Sequence, residues 1–183
     1  MIVAGNTQKH ANRLMYRLQQ LFKLIHNHIV EERAEYLKLD NGTEYFAFPS
    51  NPSSYRGIEK VKAIFVDEGA HFDFVDDYIV YDALEPITLA SKPDLFIIST
   101  PNGKRGFFYE LYVQAVAGNN KFKPRFWNYE KAMGWLYSQA DIDEKKRDLT
   151  IDFEQEYNGQ FTTTRHSIFG EIFKTEEYEA VEF

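Results

Sequence analysis

Apolar runs closed by turn-forming or acidic residues set the rhythm of the chain. Met1 to Ala4 is a short apolar run, and Gly5-Asn6-Thr7 behind it offers turn and N-cap chemistry. Ala11, Leu14, Leu18, Leu21 and Ile25 then recur at three- and four-residue steps, while Lys9, Arg13 and Arg17 form a cationic row at steps of four. This predicts a strand followed by a helix that packs one face and carries basic charge on another. Glu35 to Leu39 and Glu44 to Phe48 alternate polar and apolar positions around Asp40-Asn41-Gly42, which predicts a hairpin with a tight turn.

A Pro/Ser/Asn loop from Pro49 to Ser54 precedes Val61 to Val66, a mostly apolar run that stops at Asp67-Glu68. A helix is predicted from about Val75 to Leu84. A second run, Leu95-Phe96-Ile97-Ile98, is closed by Ser99-Thr100-Pro101-Asn102-Gly103. Gly106 to Ala117 reads as a helix, Phe122 to Trp127 as a short strand or extended segment, and Asp141 to about Tyr157 as charged helical turns. Strands alternating with helices predict an α/β fold with a mostly parallel sheet.

Composition narrows the class. The 183 residues suit one ordinary domain, so a single core is the working expectation. With 44% hydrophobic and 27% charged residues the chain can bury a core. A formal charge of −7 argues against coating nucleic acid or an anionic membrane with the whole surface, although a local basic patch is compatible with it. With no cysteine, disulfides, thiolate metal clusters and cysteine nucleophiles are excluded. The apolar runs are far below the roughly 18 residues of a membrane span, and the polar stretch from Gly5 to Lys9 does not resemble a signal peptide. A soluble intracellular protein is expected.

The candidate chemistry lies where the two apolar strands end. In an open parallel sheet, ligands gather beyond the C-terminal strand ends. Asp67, directly after a buried strand, is placed to hold Mg²⁺ through a water, and Glu68 beside it to polarise the water that attacks a phosphoryl group. Taken alone, the acidic pair also fits a strand entering a solvated loop. Ser99 and Thr100 could lie beside these carboxylates and sense a γ-phosphate by hydrogen bonding, and taken alone they also fit a plain turn. Two successive strands ending in phosphate-compatible groups are the more specific signal. His71 reads as a loop histidine, one residue too far on for a helicase-type Asp-Glu-x-His box. His10, His26, His28 and His166 have no metal-binding spacing, and no zinc site is expected.

In order and spacing these segments resemble the ATPase region of the large terminase subunit, the motor that packages DNA into tailed-virus capsids. The resemblance is carried by the Asn41-Gly42 hairpin, Phe48-Pro49-Ser50, Tyr55-Arg56-Gly57, and the stretch Ala63-Ile64-Phe65-Val66-Asp67-Glu68-Gly69-Ala70, which looks like Walker B. Ile97 to Gly103 resembles the coupling motif, and Phe153 to Phe161 the segment closing the ATPase region. The resemblance implies a P-loop NTPase-like fold of the ASCE type, incomplete at its N-terminus. It further implies a partial ATPase domain over residues 1–161, and a tail over 162–183 leading towards a nuclease domain. It implies roles for Asp67 in Mg²⁺ binding, Glu68 in water activation, Ser99 and Thr100 in coupling, and Arg56 in acting on a neighbouring subunit's nucleotide.

ATP and Mg²⁺ are the implied cofactors, conditional on a P-loop. The implied partners are double-stranded DNA, the portal, the small terminase subunit and a P-loop-bearing chain or other motor subunits. The implied setting is the cytoplasm of an infected or prophage-carrying cell, with no membrane. The chain departs from the pattern in having no Gly-rich loop with Gly-Lys-Ser/Thr; Gly103-Lys104-Arg105 lacks the upstream glycine spacing and the hydroxyl. Met1 to Ala4 therefore resembles the family's second strand, hydrolysis by this chain alone is not expected, and neither is DNA cleavage. Two other readings stay open: a noncatalytic remnant binding partners or DNA through Lys9, Arg13 and Arg17, and a helicase-like ATPase fragment.

Overall fold

The computed structural model describes residues 2–5, 7–25, 28–49, 58–72 and 77–163. The first strand, β1 (Ile2–Ala4), leads into α1 (Gln8–Leu24), whose first turn is capped by Thr7 Oγ1 accepting from His10 N at 3.1 Å. Three strands follow: β2 (Ile29–Arg33), β3 (Tyr36–Leu39) and β4 (Glu44–Phe48). The tight turn between β3 and β4 rests on Gly42, whose φ of 81° lies in the left-handed region that only glycine enters without steric cost. The chain continues through β5 (Ala63–Asp67), α2 (Asp77–Ser91), β6 (Asp94–Ile98) and α3 (Gly106–Val116).

The sheet order is β2-β3-β4-β1-β5-β6. The pairings of β1 with β4 and β5, and of β5 with β6, are parallel, whereas β2-β3-β4 form an antiparallel end. One face of the sheet is covered by α1, with Ala11, Met15, Leu37, Leu39 and Ala47 buried between. On the other face Ile64 and Val66 of β5 pack with Val80, Leu84 and Ile87 of α2 and Phe107 of α3. Strand alternation produces this division: Ile64 and Val66 turn one way, and Phe65, stacked on Phe96 at 4.7 Å, belongs to the other set.

Contacts divide the chain into two units, in contrast to the single core expected from its length. One comprises Met1–Thr100 with Gly106–Phe122, the other Pro101–Arg105 with Lys123–Phe183. In the second unit a 3₁₀ turn (Tyr129–Ala132) is followed by α4 (Gln139–Arg147) and α5 (Phe153–Glu156). Ile142 is its fully buried anchor, and Lys146 lies over the rings of Tyr129 and Phe153, 5.4 and 5.3 Å from their centroids.

Several expectations change in detail. Leu21 and Ile25 are exposed, and the buried stripe of α1 is Ala11, Met15 and Gln19. The helix predicted to stop at Leu84 runs through Pro86 to Ser91, because Ile87 extends the buried row of Val80 and Leu84. Of the two alternatives for Phe122 to Trp127, a short strand or an extended segment, the strand does not form, and β2 was not anticipated.

Candidate functional site

Parallel pairing brings the ends of β5 and β6 side by side, with Asp67 in register with Ile98. Asp67 is the last residue of β5 and Glu68 the first of the turn after it; Ser99 and Thr100 directly follow β6. The acidic pair and the hydroxyl pair therefore share one rim of the sheet. Arg56 lies outside the described residues.

The turn after β5 is fastened to the end of β6 at three consecutive positions. Gly69 N donates to Ile98 O at 3.1 Å, and Ala70 N donates to Ser99 Oγ at 3.1 Å. His71 Nε2 lies 3.0 Å from Thr100 Oγ1. The close approach depends on glycine, since a Cβ at position 69 would stand 2.7 Å from Ile97 Cγ2, with Phe107 and Phe108 behind it. Within the turn, His71 N donates to Glu68 O at 2.9 Å. Glu68 itself adopts φ 55°, a left-handed conformation that costs a β-carbon-bearing residue about 1 kcal/mol or more and that the surrounding bonds must hold in place.

Each carboxylate has a histidine beside it. His10, in the first turn of α1, approaches Asp67 Oδ2 with Nε2 at 3.1 Å; because a carboxylate only accepts, Nε2–H is the donor. The second oxygen of Asp67 stands outside that bond, and the side chain retains 32% of its exposure. One accessible carboxylate suits Mg²⁺, which keeps most of its waters and takes phosphate oxygens as further ligands. Among the described residues no group of three or more His, Asp or Glu converges as a protein-only metal cage. His71 Nε2 stands 3.8 Å from Glu68 Oε2.

The sequence pattern held no sign of the contact between His10 and Asp67, which are 57 positions apart. His71 was legible only as a loop residue. Position was the one available signal, and only for His71, which falls in the turn beyond β5, where a parallel sheet gathers its functional groups.

Residues 2–175 match the family described as terminase large subunit, T4likevirus-type, N-terminal. The chain belongs to this large terminase family. The large terminase of a thermophilic bacteriophage is 18% identical, with a TM-score of 0.67, over 88% of this chain and 40% of that one. The same terminase solved in complex with ADP gives 18% identity and a TM-score of 0.65 over the same shares, 88% and 40%. The large terminase ATPase domain of Thermus phage P74-26 gives 18% identity and a TM-score of 0.56, over 88% of this chain and 76% of that domain. At these identities the likeness establishes the fold: the terminase chain has the P-loop-like ASCE architecture of large terminase ATPase domains. It spans 40% of the length of the thermophilic bacteriophage's terminase. No helix among its described residues is long and apolar enough to cross a membrane.

Proposed function

We propose that this terminase chain supplies the Walker B and coupling elements of an ATP-hydrolysing site that drives viral DNA into a capsid, and that a segment bearing Gly-Lys-Ser/Thr completes the site. The observation that carries this reading is the shared rim, where the turn holding Glu68 is bonded at three positions to the strand end holding Ser99 and Thr100. Asp67 would hold Mg²⁺ through a water, and Glu68 would orient and deprotonate the attacking water. When bound, Mg²⁺ would neutralise charge developing on the phosphates. Nucleotide binding is supported by the thermophilic-phage relative solved with ADP.

The β6 edge supports completion by another segment. Among the described residues strand β6 ends the sheet, and its apolar Phe96 and Ile98 remain 45% and 58% exposed. Such an edge presents backbone groups ready to pair with a further strand. Carboxylates without a phosphate cradle have little binding energy with which to position ATP, so the chain alone is inactive in this reading. The role extends by family to double-stranded DNA, the portal, the small subunit and neighbouring motor subunits in the cytoplasm of an infected or prophage-carrying cell. Residues 162–183 would form the tail that leads out of the ATPase domain over 1–161. Arg56 would act on a neighbour's nucleotide, so Arg56→Ala would impair the assembled motor more than nucleotide binding by one subunit.

The test is reconstitution with a P-loop-bearing chain. Mg²⁺-dependent ATP hydrolysis should appear, vanish with Glu68→Gln and weaken with Asp67→Ala. Equal hydrolysis by the Glu68→Gln pair would overturn the assignment. A second reading draws on Lys9, Arg13 and Arg17, all exposed along α1. A noncatalytic module contacting DNA through this row would lose salt-sensitive DNA binding when the three are neutralised, with no hydrolysis in any mixture.

A further inference from the structure

The fastening of the two strand ends contains one ring nitrogen that stands between two of its polar groups. His71 Nε2 has a single bonding direction, in the plane of its ring, and among the described residues two polar groups stand near it: Thr100 Oγ1 at 3.0 Å and Glu68 Oε2 at 3.8 Å. The first distance is a hydrogen bond and the second is not. Roughly 1 Å of movement would reverse the order. The ring is held at the right place for this choice by the His71 N to Glu68 O bond of 2.9 Å and by the neighbouring Ala70 N to Ser99 Oγ bond. It is three-quarters buried, at 25% exposure, whereas Glu68 keeps 41%, so the imidazole is the fixed member and the carboxylate the movable one.

We infer that His71 is a positioning residue that makes the orientation of Glu68 depend on the hydroxyl of Thr100. While Thr100 occupies Nε2, the Glu68 carboxylate is left to face the rim and whatever water lies there. In the tautomer that carries its proton on Nε2, withdrawal of the hydroxyl leaves Nε2–H to Glu68 Oε2, and the carboxylate swings to it, away from that direction. The inference deepens the proposed function and rests on it for the role of Glu68. The geometric dependence itself belongs to the chain alone and is measurable without hydrolysis.

The first experiment uses the full chain, isotopically labelled, with the Glu68 side-chain carboxyl carbon followed by NMR. Thr100→Val should shift this resonance and Thr100→Ser should leave it in place. In a His71→Phe background Thr100→Val should no longer move it. An unchanged resonance in Thr100→Val, or the same change with and without His71, overturns the inference. If Thr100→Val disrupts the amide spectrum as a whole, Thr100→Ala takes its place and the His71 Nε2 nitrogen decides: it should move with Thr100→Ala, hold with Thr100→Ser, and move again when Glu68→Gln is added to Thr100→Ala, and indifference to Glu68→Gln in that background overturns the inference.

The second experiment uses the reconstituted site. Thr100→Val should lower kcat roughly 10- to 100-fold with KM for ATP within about twofold, the scale of a misplaced catalytic group. Adding His71→Phe should restore part of the loss, whereas losses that simply multiply would count against the inference. If the wild-type pair hydrolyses no ATP, the proposed function fails while the NMR result still decides the His71 relationship.

Discussion

His10 Nε2 stands 3.1 Å from Asp67 Oδ2, tying the first turn of α1 to the end of β5 across 57 positions of sequence. The bond draws on two features of the chain: Thr7 starts the helix three residues before His10, and the β1–β5 pairing sets the helix start beside the strand end. A hydrogen bond to a carboxylate at a half-covered position is worth about 1–2 kcal/mol. His10→Phe and Asp67→Asn should each destabilise the chain in urea unfolding, and the double variant should cost less than the two added together, by about 1 kcal/mol. Strict additivity would show that the contact contributes nothing.

The fold's local grammar was readable because each element announces itself. Asn41-Gly42 forms the turn it predicts, and the apolar runs ending at Asp67 and Ser99 are adjacent parallel strands. What escaped the reading was tertiary. Gln19 is buried where an apolar residue is the usual occupant, because its amide satisfies a backbone carbonyl of β2, and a one-dimensional hydrophobic count cannot see that partner. Leu21 and Ile25 fit the helical spacing equally well, yet the sheet beneath α1 covers the Ala11-Met15-Gln19 stripe and leaves them exposed. At the rim, residue types alone brought Asp67, Glu68, Ser99 and Thr100 to notice, whereas the two histidines gain their meaning only from the distances.

The close approach at Gly69 carries a stability prediction. A Cβ there would meet Ile97 Cγ2 at 2.7 Å, and Ile97, partly buried on β6, packs against the core cluster formed by β5, α2 and α3. Gly69→Ala should destabilise by about 1–3 kcal/mol, the usual cost of overpacking. Ile97→Ala should absorb much of that cost, so the Gly69→Ala penalty measured in an Ile97→Ala background should shrink by at least half in thermal or chemical unfolding. An undiminished penalty would place the strain in the backbone of the turn instead.

Gln19 offers a contrast, because here a polar group is buried and satisfied. Its exposure is 4%, and Nε2 donates to Arg33 O at 2.7 Å, fastening the end of β2 to α1. Gln19→Leu keeps the volume and removes the donor, leaving a carbonyl without that partner at a cost of about 1–3 kcal/mol. The loss should be local first: amide exchange in β2 should accelerate more than exchange in β5. A uniform acceleration would mean that Gln19 supports the whole core and not the β2 end in particular.

Acidification should release the second unit's α4 through its N-terminal cap. Asp141 accepts from Ser138 Oγ at 2.6 Å and from Ser138 N at 2.8 Å, while Ser138 Oγ accepts from Asp141 N at 3.2 Å. The Ser138 side-chain bond above all, then its backbone bond, holds the Asp141 carboxyl below the usual aspartate range, with Lys145 adding to the effect. A lowered folded-state value means that the ionised form is favoured by folding. Its contribution is therefore complete above the unfolded-state value and disappears as pH falls through the folded one. In a carboxyl-carbon NMR titration the Asp141 midpoint should lie below that of an unstructured aspartate, and Ser138→Ala should raise it. Helical signal from α4 should fade over the same acidic interval in the wild type and begin to fade at higher pH in Ser138→Ala. Coincident titrations would show that the cap does not depend on the charge of Asp141.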